Sequence, residues 1–392
     1  MSPKRLGRYA SRSRSSAPAP PPSRTEGAAL FYLEALASSM EPRKRCLRAV
    51  LREEVDRIPL SIWIERPEPY GSLAARLGES DLERLLRRLQ VDYRGFLPNI
   101  SFLGIGLRGG FEPGWVEVGG RRLWRDSWGV LHATSSDGRT SMHVVHPLER
   151  MDVREYPFPE VNEEDYAAVE KFRREHESYC VVAYALQPFE TACALFGYNA
   201  IYRAMLREPW KVDYVLDKLF AIAEQQAALL ADAGVDQVYS GDDVGAQTTM
   251  LISPQLWRRF LKPRYERLAR AIHKRGAFFH FHSDGWIEPI IPDLIEVGVD
   301  VLEPIQPECM DVKRIKEAYG DEISFEGGLG VQRLPFLSAD EVGREVEWLI
   351  ENLGPTGYTL RPSHTILPGT PVENIIAVYD VAARCARRAS RP

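Results

Sequence analysis

Two short segments carry residue types that could bind a metal ion. The tetrapeptide His282-Ser283-Asp284-Gly285 closes an apolar run at 277–281, and His364 lies shortly before Pro368-Gly369-Thr370-Pro371. Alternate residues of a strand project the same way, so His282 and Asp284 can bind one ion together. Imidazole and carboxylate groups suit Zn²⁺, Fe²⁺, Mn²⁺ or Co²⁺. These residues predict a divalent metal site, with zinc as the first choice, if the fold brings His364 to the same place.

The elements that must position these residues alternate between strand and helix. Apolar runs separated by amphipathic stretches indicate a buried parallel sheet. The predicted strands are 58–63, 91–96 (the weakest), 179–186, 235–240, 277–282, 299–305, 323–327 and 358–361. The clearest predicted helices are 42–55, 209–233, 254–275 and 338–351. Eight strands predict an α/β fold of the (β/α)₈ TIM-barrel type, with chemistry at the carboxyl ends of the strands.

Two features bear on this prediction. An open doubly wound sheet would need a glycine-rich phosphate turn that opens a helix, and the glycine clusters at 104–106 and 108–110 open none. Residues 98–165 break the alternation, with hairpin patterns at 114–120 and 124–133. We expect an inserted β-hairpin excursion here, serving either as a lid over the barrel mouth or as simple packing.

Polar residues cluster where the predicted strands end. Neighbouring strand ends lie about 5 Å apart, so their side chains can meet. The predicted metal ligands are His282, Asp284, Glu303 and His364. The predicted acid/base or substrate-anchoring residues are Asp242 and Asp243, and the predicted substrate-binding residues are Gln247, Glu190, Glu326, Tyr239 and Trp63. Plainer interpretations stay open: Glu303 can brace a ligand instead of binding metal, Asp243 can cap a loop, and His280 can be a structural histidine.

Composition excludes several classes of protein. The 392 residues are 44% hydrophobic and carry a formal charge of −5, which gives no general attraction to nucleic acid or to an anionic membrane. No apolar stretch approaches the roughly 20 residues that span a bilayer. Five widely spaced cysteines without a CxxC pair suggest neither disulfides nor a thiolate zinc site, so we expect a reducing cytoplasm. The sequence leaves the oligomeric state open.

The first 39 residues differ in composition from the rest. Residues 1–24 hold six Lys or Arg and no acid, together with many Ser, Ala and Pro. Such a segment cannot bury enough apolar surface to fold. We expect residues 1–39 to be a disordered tail, with a transit peptide or a start codon upstream of a natural Met40 as alternatives, and residues 40–392 to be the barrel domain.

Several motifs resemble the uroporphyrinogen decarboxylase superfamily over residues 40–388. They are Met40-Glu41-Pro42-Arg43-Lys44-Arg45, Asp56-Arg57-Ile58-Pro59, Leu251-Ile252-Ser253-Pro254, His282-Ser283-Asp284-Gly285, Pro292-Asp293-Leu294-Ile295 and Pro368-Gly369-Thr370-Pro371-Val372-Glu373-Asn374. The branch that they resemble most is the corrinoid- and thiol-dependent methyltransferases, with cobalamin-independent methionine synthase more distant. The resemblance implies a (β/α)₈ barrel.

The same resemblance implies a zinc held by a His-x-Cys after the fifth strand, a Glu after the sixth in some members, and a late Cys. Carried over by position, these ligands correspond to His282, Asp284, Glu303 and His364. Both thiolates are therefore replaced by ligand-capable side chains. We expect a retained but harder metal centre, suited to polarising an oxygen-bearing substrate or water rather than to holding a thiolate.

Three functions follow from the residues and the resemblance. The favoured one is metal-dependent methyl transfer or demethylation of a small methylated compound, with a corrinoid protein as a plausible partner. A metal-dependent lyase or hydrolase and a non-catalytic binding barrel are the alternatives. Uroporphyrinogen decarboxylation is disfavoured. The resemblance implies that an enzyme with this activity has an arginine-rich loop after the first strand, whereas residues 63–69 contain one arginine, Arg66, beside two glutamates.

Overall fold

A seven-stranded parallel sheet forms the centre of the molecule. The computed structural model describes residues 40–64, 66–96, 107–134 and 141–389. The sheet strands are β1 (Tyr93–Phe96), β8 (Cys180–Tyr184), β9 (Gln237–Gly241), β10 (Phe278–His282), β11 (Val301–Ile305), β12 (Ser324–Leu329) and β13 (Tyr358–Pro362). They are hydrogen-bonded in that order, so each strand follows its chain neighbour. Such an order, with helices between the strands, is that of a TIM-barrel-like α/β fold.

The segment around Leu60 lies between the first and last strands of this sheet. Leu60 forms a parallel bridge with Leu360, and the Ser61 amide donates to the Leu360 carbonyl at 3.0 Å. On the other side, the Asp92 amide donates to the Leu60 carbonyl at 2.8 Å. The predicted strand at 58–63 is therefore wrong in length, since it is reduced to one bridge. The weakest predicted strand, in contrast, is regular as β1.

Helices alternate with these strands and pack around them. They are α1 (Pro42–Val50), α2 (Pro67–Leu77), α3 (Leu82–Arg88), α4 (Ala167–Glu175), α5 (Pro188–Phe196), α6 (Tyr198–Arg207), α7 (Pro209–Asp232), α8 (Pro254–Phe260), α9 (Lys262–His273), α10 (Ile291–Val297), α11 (Val312–Tyr319), α12 (Ala339–Leu353) and α13 (Val372–Ala389). Prolines at the first turn and side-chain caps explain many starts. Ser338, for example, forms a capping box with Glu341 at α12.

Two predicted helices differ from the structure. The one predicted at 42–55 ends earlier, because the chain turns after Leu51 at Arg52, whose φ is positive. The one predicted at 254–275 is two helices, α8 and α9, that meet at Leu261. Within the described residues, no helix combines the length and apolar character needed to cross a membrane.

Residues 107–161 leave the parallel alternation. The antiparallel strands β3 (Gly114–Val118), β4 (Arg121–Arg125), β5 (Leu131–Thr134) and β6 (Ser141–Val145) pair in chain order. Two short strands, β2 (Leu107–Arg108) and β7 (Glu160–Val161), pair with each other. Whether this part covers the barrel mouth stays a prediction. Residues 98–106 and 135–140 of the predicted excursion, and the predicted tail at 1–39, lie outside the described residues.

A buried carboxylate joins the Leu60 segment to β1. Asp92 is fully buried, and its oxygens accept from the Leu60 amide at 2.8 Å, from Arg45 at 2.6 Å and from Arg57 at 2.7 Å. The backbone and the side chain of Asp92 therefore both hydrogen-bond to Leu60, and together they hold the bridge that completes the sheet.

Removing this carboxylate should destabilise the fold strongly. Asp92→Ala leaves Arg45 and Arg57 facing a buried gap, and breaking such a pair costs about 3–5 kcal/mol. Chemical unfolding measures the free-energy change. Asp232→Ala is the control, because its ion pair with Arg275 is exposed and is worth roughly 0–1 kcal/mol. Equal losses in the two variants would contradict this account of Asp92.

Candidate metal site and cavity

The candidate site lies at the carboxyl ends of β9 and β10. His282, the last residue of β10, is aligned with Gly241 of β9 and with Glu303 of β11. The two backbones come close at this point, because a Cβ atom on Gly241 would lie 2.2 Å from the His282 carbonyl oxygen. Glycine therefore allows Asp242 and Asp243 to leave β9 directly beside His282.

Three side chains come together there as a possible metal group. Ligand atoms of Asp243, His282 and Asp284 all lie within 4.8 Å of one another. His282 Nε2 is 3.4 Å from Asp243 Oδ1, and the Asp284 amide donates to the same oxygen at 2.8 Å. Asp284 Oδ1 is buried and has no hydrogen-bond partner among the described residues. One imidazole and two carboxylates, one of which has an unpaired oxygen, fit a divalent ion.

Glu303 lies beside this group and contacts His282 from behind. Its Oε2 accepts from His282 Nδ1 at 2.7 Å and from the Tyr239 hydroxyl at 3.0 Å. Its Oε1 lies 2.6 Å from Arg361 Nη2. With Oε2 hydrogen-bonded and Oε1 in an ion pair, Glu303 orients the imidazole so that Nε2 faces Asp243. The geometry therefore favours the bracing interpretation over the predicted role of Glu303 as a ligand.

The charges explain the pKa shifts of this pair. Burial tends to raise the pKa of Glu303, but Arg361 and His282 outweigh it and hold the pKa at about 2. Burial tends to lower the pKa of His282, but Glu303 and Asp243 raise it well above its usual value. Glu303 is thus a carboxylate near neutral pH, as the hydrogen bond from His282 Nδ1 requires.

His364 lies next to the group but not within it. Its Nδ1 accepts from the Thr365 amide at 2.7 Å, so the proton of the neutral ring is on Nε2. That Nε2 faces Asp284 Oδ2 at 3.6 Å, and the ring stacks on Trp63 with centroids 4.8 Å apart. In this arrangement His364 offers a proton rather than a lone pair to the site. The structure therefore groups Asp243, and neither His364 nor Glu303, with His282 and Asp284.

A second pair of acids, Asp242 and Glu190, lies behind Asp243. Asp242 is fully buried, accepts from the Glu190 amide at 2.8 Å and accepts a short hydrogen bond from the Tyr265 hydroxyl. Burial raises the pKa of Asp242 to about 7. Burial, with added repulsion from Asp243 and Asp242, raises the pKa of Glu190 to about 8. Glu190 is therefore a group that can hold or release a proton near neutral pH.

A cavity of about 380 Å³ is lined by His280 and Arg361 but by no residue of the metal group. Of the predicted substrate-binding residues, Trp63, Tyr239 and Glu326 line it, whereas Glu190 and Gln247 do not. Gln247 is exposed, and its side-chain oxygen accepts from the Cys309 thiol at 3.6 Å. The volume is in the range of small-molecule sites. The roles of these residues stay predictions.

Sequence reasoning missed Arg361, which lies at the centre of the barrel interior. Arg361 is buried, and its guanidinium lies 2.6 Å from Glu303, 2.9 Å from Glu326 and over the Trp63 ring at 5.2 Å. Both glutamates raise its pKa against the effect of burial. An arginine in a strand whose neighbours carry buried glutamates was the available signal, since a buried charge needs a partner.

The chain belongs to the uroporphyrinogen decarboxylase (URO-D) family. The family model matches residues 137–385, more than half of the chain. That stretch includes all residues of the metal group and the acid pair, and the Trp63 segment lies before it.

Two curated relatives are similar over part of their length. The chain is 28% identical over 196 residues to a uroporphyrinogen decarboxylase from Gloeobacter violaceus, covering 46% of this chain and 54% of that protein. It is 24% identical over 205 residues to one from Koribacter versatilis, covering 50% and 56%. The matches thus span about half of each relative.

A solved structure supports the fold over most of the chain. A methyltransferase from Methanosarcina mazei superimposes with a TM-score of 0.65, covering 88% of this chain and 99% of that one at 18% identity. This likeness establishes the TIM-barrel-like fold and leaves the reaction to be inferred from the site.

The raised pKa of Asp242 predicts a pH-dependent stability. Its pKa is about 7 in the folded protein against a usual 3.8, so the folded state binds this proton more tightly and stability is lost as pH rises from about 4 to about 7. Asp242→Asn removes this loss. We expect the free energy of unfolding of the variant to gain on that of the wild type between pH 5 and pH 8. A difference that is independent of pH would contradict the shift.

Proposed function

We propose that this chain is a metal-dependent enzyme that transfers a methyl group to or from a small methylated compound. The observation that carries the proposal is the Asp243, His282 and Asp284 group, with His282 oriented by Glu303. The fold shared with a methyltransferase supports the choice of reaction. Zinc is the first metal that this donor set suggests, with iron, manganese and cobalt as alternatives.

The residues divide the work by position. Asp243, His282 and Asp284 would hold the ion, which when bound supplies Lewis-acid polarisation of a substrate atom. Trp63 and Tyr239 would orient the substrate in the cavity.

The acid pair supplies the proton chemistry in this proposal. Glu190, with a pKa of about 8, would give or take the proton that methyl transfer moves to or from the heteroatom of the substrate. Asp242 has both oxygens engaged by the Glu190 amide and Tyr265, so we assign it to positioning Glu190 rather than to contact with the substrate. This assignment modifies the predicted acid/base role of Asp242.

A second function is favoured by the donors of the metal group. All of them are nitrogen or oxygen, whereas a thiol-activating centre gains from electron-rich thiolates. Hard donors suit a metal that polarises water or a carbonyl, so a lyase or hydrolase reaction is the alternative.

For the methyl-transfer function, we propose a corrinoid protein as the methyl carrier. No two of the five cysteines, all of which lie in the described residues, form a disulfide, which supports a reducing cytoplasm as the proposed compartment.

Metal content tests the first step. We expect about one divalent ion per chain by elemental analysis, and its loss in His282→Ala. Glu303→Gln should weaken affinity about 10–100-fold, because the carboxylate that orients the imidazole is gone. His273→Ala is the matched control, since His273 pairs with Asp300 on the outside of the barrel. Wild-type protein without a stoichiometric ion would remove the metal proposal.

Isotope transfer tests the reaction. Candidate methyl donors carrying a CD₃ group are incubated with the metal-loaded protein and a free corrinoid that has been chemically reduced to Co(I), and the label is followed by mass spectrometry. We expect label on the acceptor with wild type, and at least a hundredfold less with Glu190→Gln if loss of the proton donor has the usual effect of about 10²–10⁴. Product that forms without movement of the label would instead establish the lyase or hydrolase alternative.

A further inference from the structure

The 380 Å³ cavity has a wall that is apolar and aromatic where a ligand can reach it. Its half-exposed apolar lining residues are Ile62, Trp63, Ile64, Phe172 and Tyr184. We propose that this cavity binds an uncharged small molecule with an aromatic ring. In the proposed function this molecule is the substrate, and that clause alone rests on the proposed function. The binding itself rests on the cavity.

The charged groups at the inner end of the cavity are buried and paired with one another. Arg361 lies 2.6 Å from Glu303 and 2.9 Å from Glu326. Glu303 also accepts a hydrogen bond from His282 at 2.7 Å. The side chains of Arg361 and Glu326 are only 5% and 1% exposed. A charged ligand group would therefore lose its water and meet charges that the protein already compensates.

The charged groups at the outer end are also engaged within the protein. The guanidinium of Arg94 donates to Glu83 at 2.6 and 3.1 Å, and Arg87 donates to the same carboxylate at 2.6 Å. His176 Nε2 lies 3.6 Å from Glu83. Asp81 is the N-cap of α3 and accepts from an amide of that helix at 2.9 Å. A charged ligand would compete with these pairs, whereas an uncharged one leaves them intact.

The hydroxyl groups of the inner wall are likewise used by the protein. The Tyr239 hydroxyl donates to Glu303 at 3.0 Å, and the Tyr93 hydroxyl lies 3.2 Å from the Thr359 hydroxyl. The Ser61 hydroxyl is hydrogen-bonded to Glu326. These residues therefore offer a ligand mainly their carbon surface, which favours an apolar body over a polar one.

Aromatic rings lie at both ends of the lining. At the inner end, the rings of Tyr184 and Tyr239 have centroids 4.4 Å apart. At the outer end, the ring of Phe172 lies 4.2 Å from that of His176. Contacts between rings add to the gain from burying apolar surface. An aromatic ligand therefore gains more from this wall than an aliphatic one.

Trp63 connects the cavity to the surroundings of the metal group. It lines the cavity, and its ring stacks on His364 with centroids 4.8 Å apart. The same ring meets the His282 ring edge-on, with centroids 6.4 Å apart. The cavity and the metal group are thus separate regions with Trp63 in contact with both.

Three naphthalene probes of the same ring isomer test the inference by titration calorimetry on the full chain. Naphthylmethanol is uncharged, naphthoate is an anion and naphthylmethylammonium is a cation. We expect naphthylmethanol to bind at one site per chain and each charged probe to bind at least about tenfold more weakly, because a charge without a partner costs desolvation. No binding of naphthylmethanol, or binding of a charged probe that is equal or tighter, overturns the proposal.

Gly95 provides a way to fill the cavity. It lies in β1 and lines the cavity, and a Cβ atom there would be 3.9 Å from Tyr184, which is ordinary contact. Gly95→Leu should weaken naphthylmethanol binding at least about tenfold, because the probe loses buried area. Gly95→Ala should weaken it less. Gly114→Leu is the matched control, since Gly114 also lies in a strand with open space around it and is not among the described lining residues.

Thermal unfolding is recorded for each variant, and Gly95→Ala is compared in place of Gly95→Leu if the larger side chain prevents folding. Affinity that is unchanged in the folded Gly95 variants, or that falls equally in Gly114→Leu, would place the probe elsewhere and overturn the cavity site.

Metal content keeps the two proposals apart. Wild type is titrated as purified and after incubation with zinc, and the ion is measured in each sample. Naphthylmethanol binding to a protein that takes up no ion supports the cavity site while the metal-dependent function fails. A stoichiometric ion without naphthylmethanol binding does the reverse, because it leaves the metal group intact and overturns the cavity site.

Discussion

The hydrogen bond between His282 Nδ1 and Glu303 Oε2 is the interaction on which the site depends. It joins the ends of two neighbouring parallel strands at 2.7 Å with both side chains buried. Its charge is balanced further along the barrel interior, where Arg361 contacts both Glu303 and Glu326. Buried charges persist only when each has a partner. These paired side chains, from His282 through Glu303 and Arg361 to Glu326, therefore fix the orientation of the His282 ring. Through Glu326 they also fix one wall of the cavity.

These paired side chains also separate two regions with different chemistry. On one side of His282, the oxygens of Asp243 and Asp284 form a polar group that fits a divalent ion. The cavity, which has Trp63 and Tyr239 in its lining, is a separate region that no residue of the metal group lines.

Much of this arrangement was predictable from the sequence. The parallel strand pattern placed His282, Glu303 and Glu326 at strand ends, because side chains that end neighbouring parallel strands share an edge. The spacing of residues in the sequence could not show which oxygen of Glu303 contacts which atom. The bracing role of Glu303 and the position of the proton on His364 therefore required the three-dimensional structure. Arg361 was missed because an arginine in an apolar strand was assigned to the strand and not to a charge partner. Leu60 was placed in a full strand, although a single bridge held by Asp92 suffices to join β1 and β13.

The most direct test of the account is the position of the ion itself. Anomalous diffraction from zinc-loaded crystals locates the metal without assumptions about function. The account predicts one site, with His282 Nε2 at about 2.0–2.1 Å and oxygens of Asp243 and Asp284 at about 2.0–2.2 Å, while Glu303 remains on His282 Nδ1. An ion bound by Glu303 or His364 in place of Asp243, or no ion at His282, would contradict it.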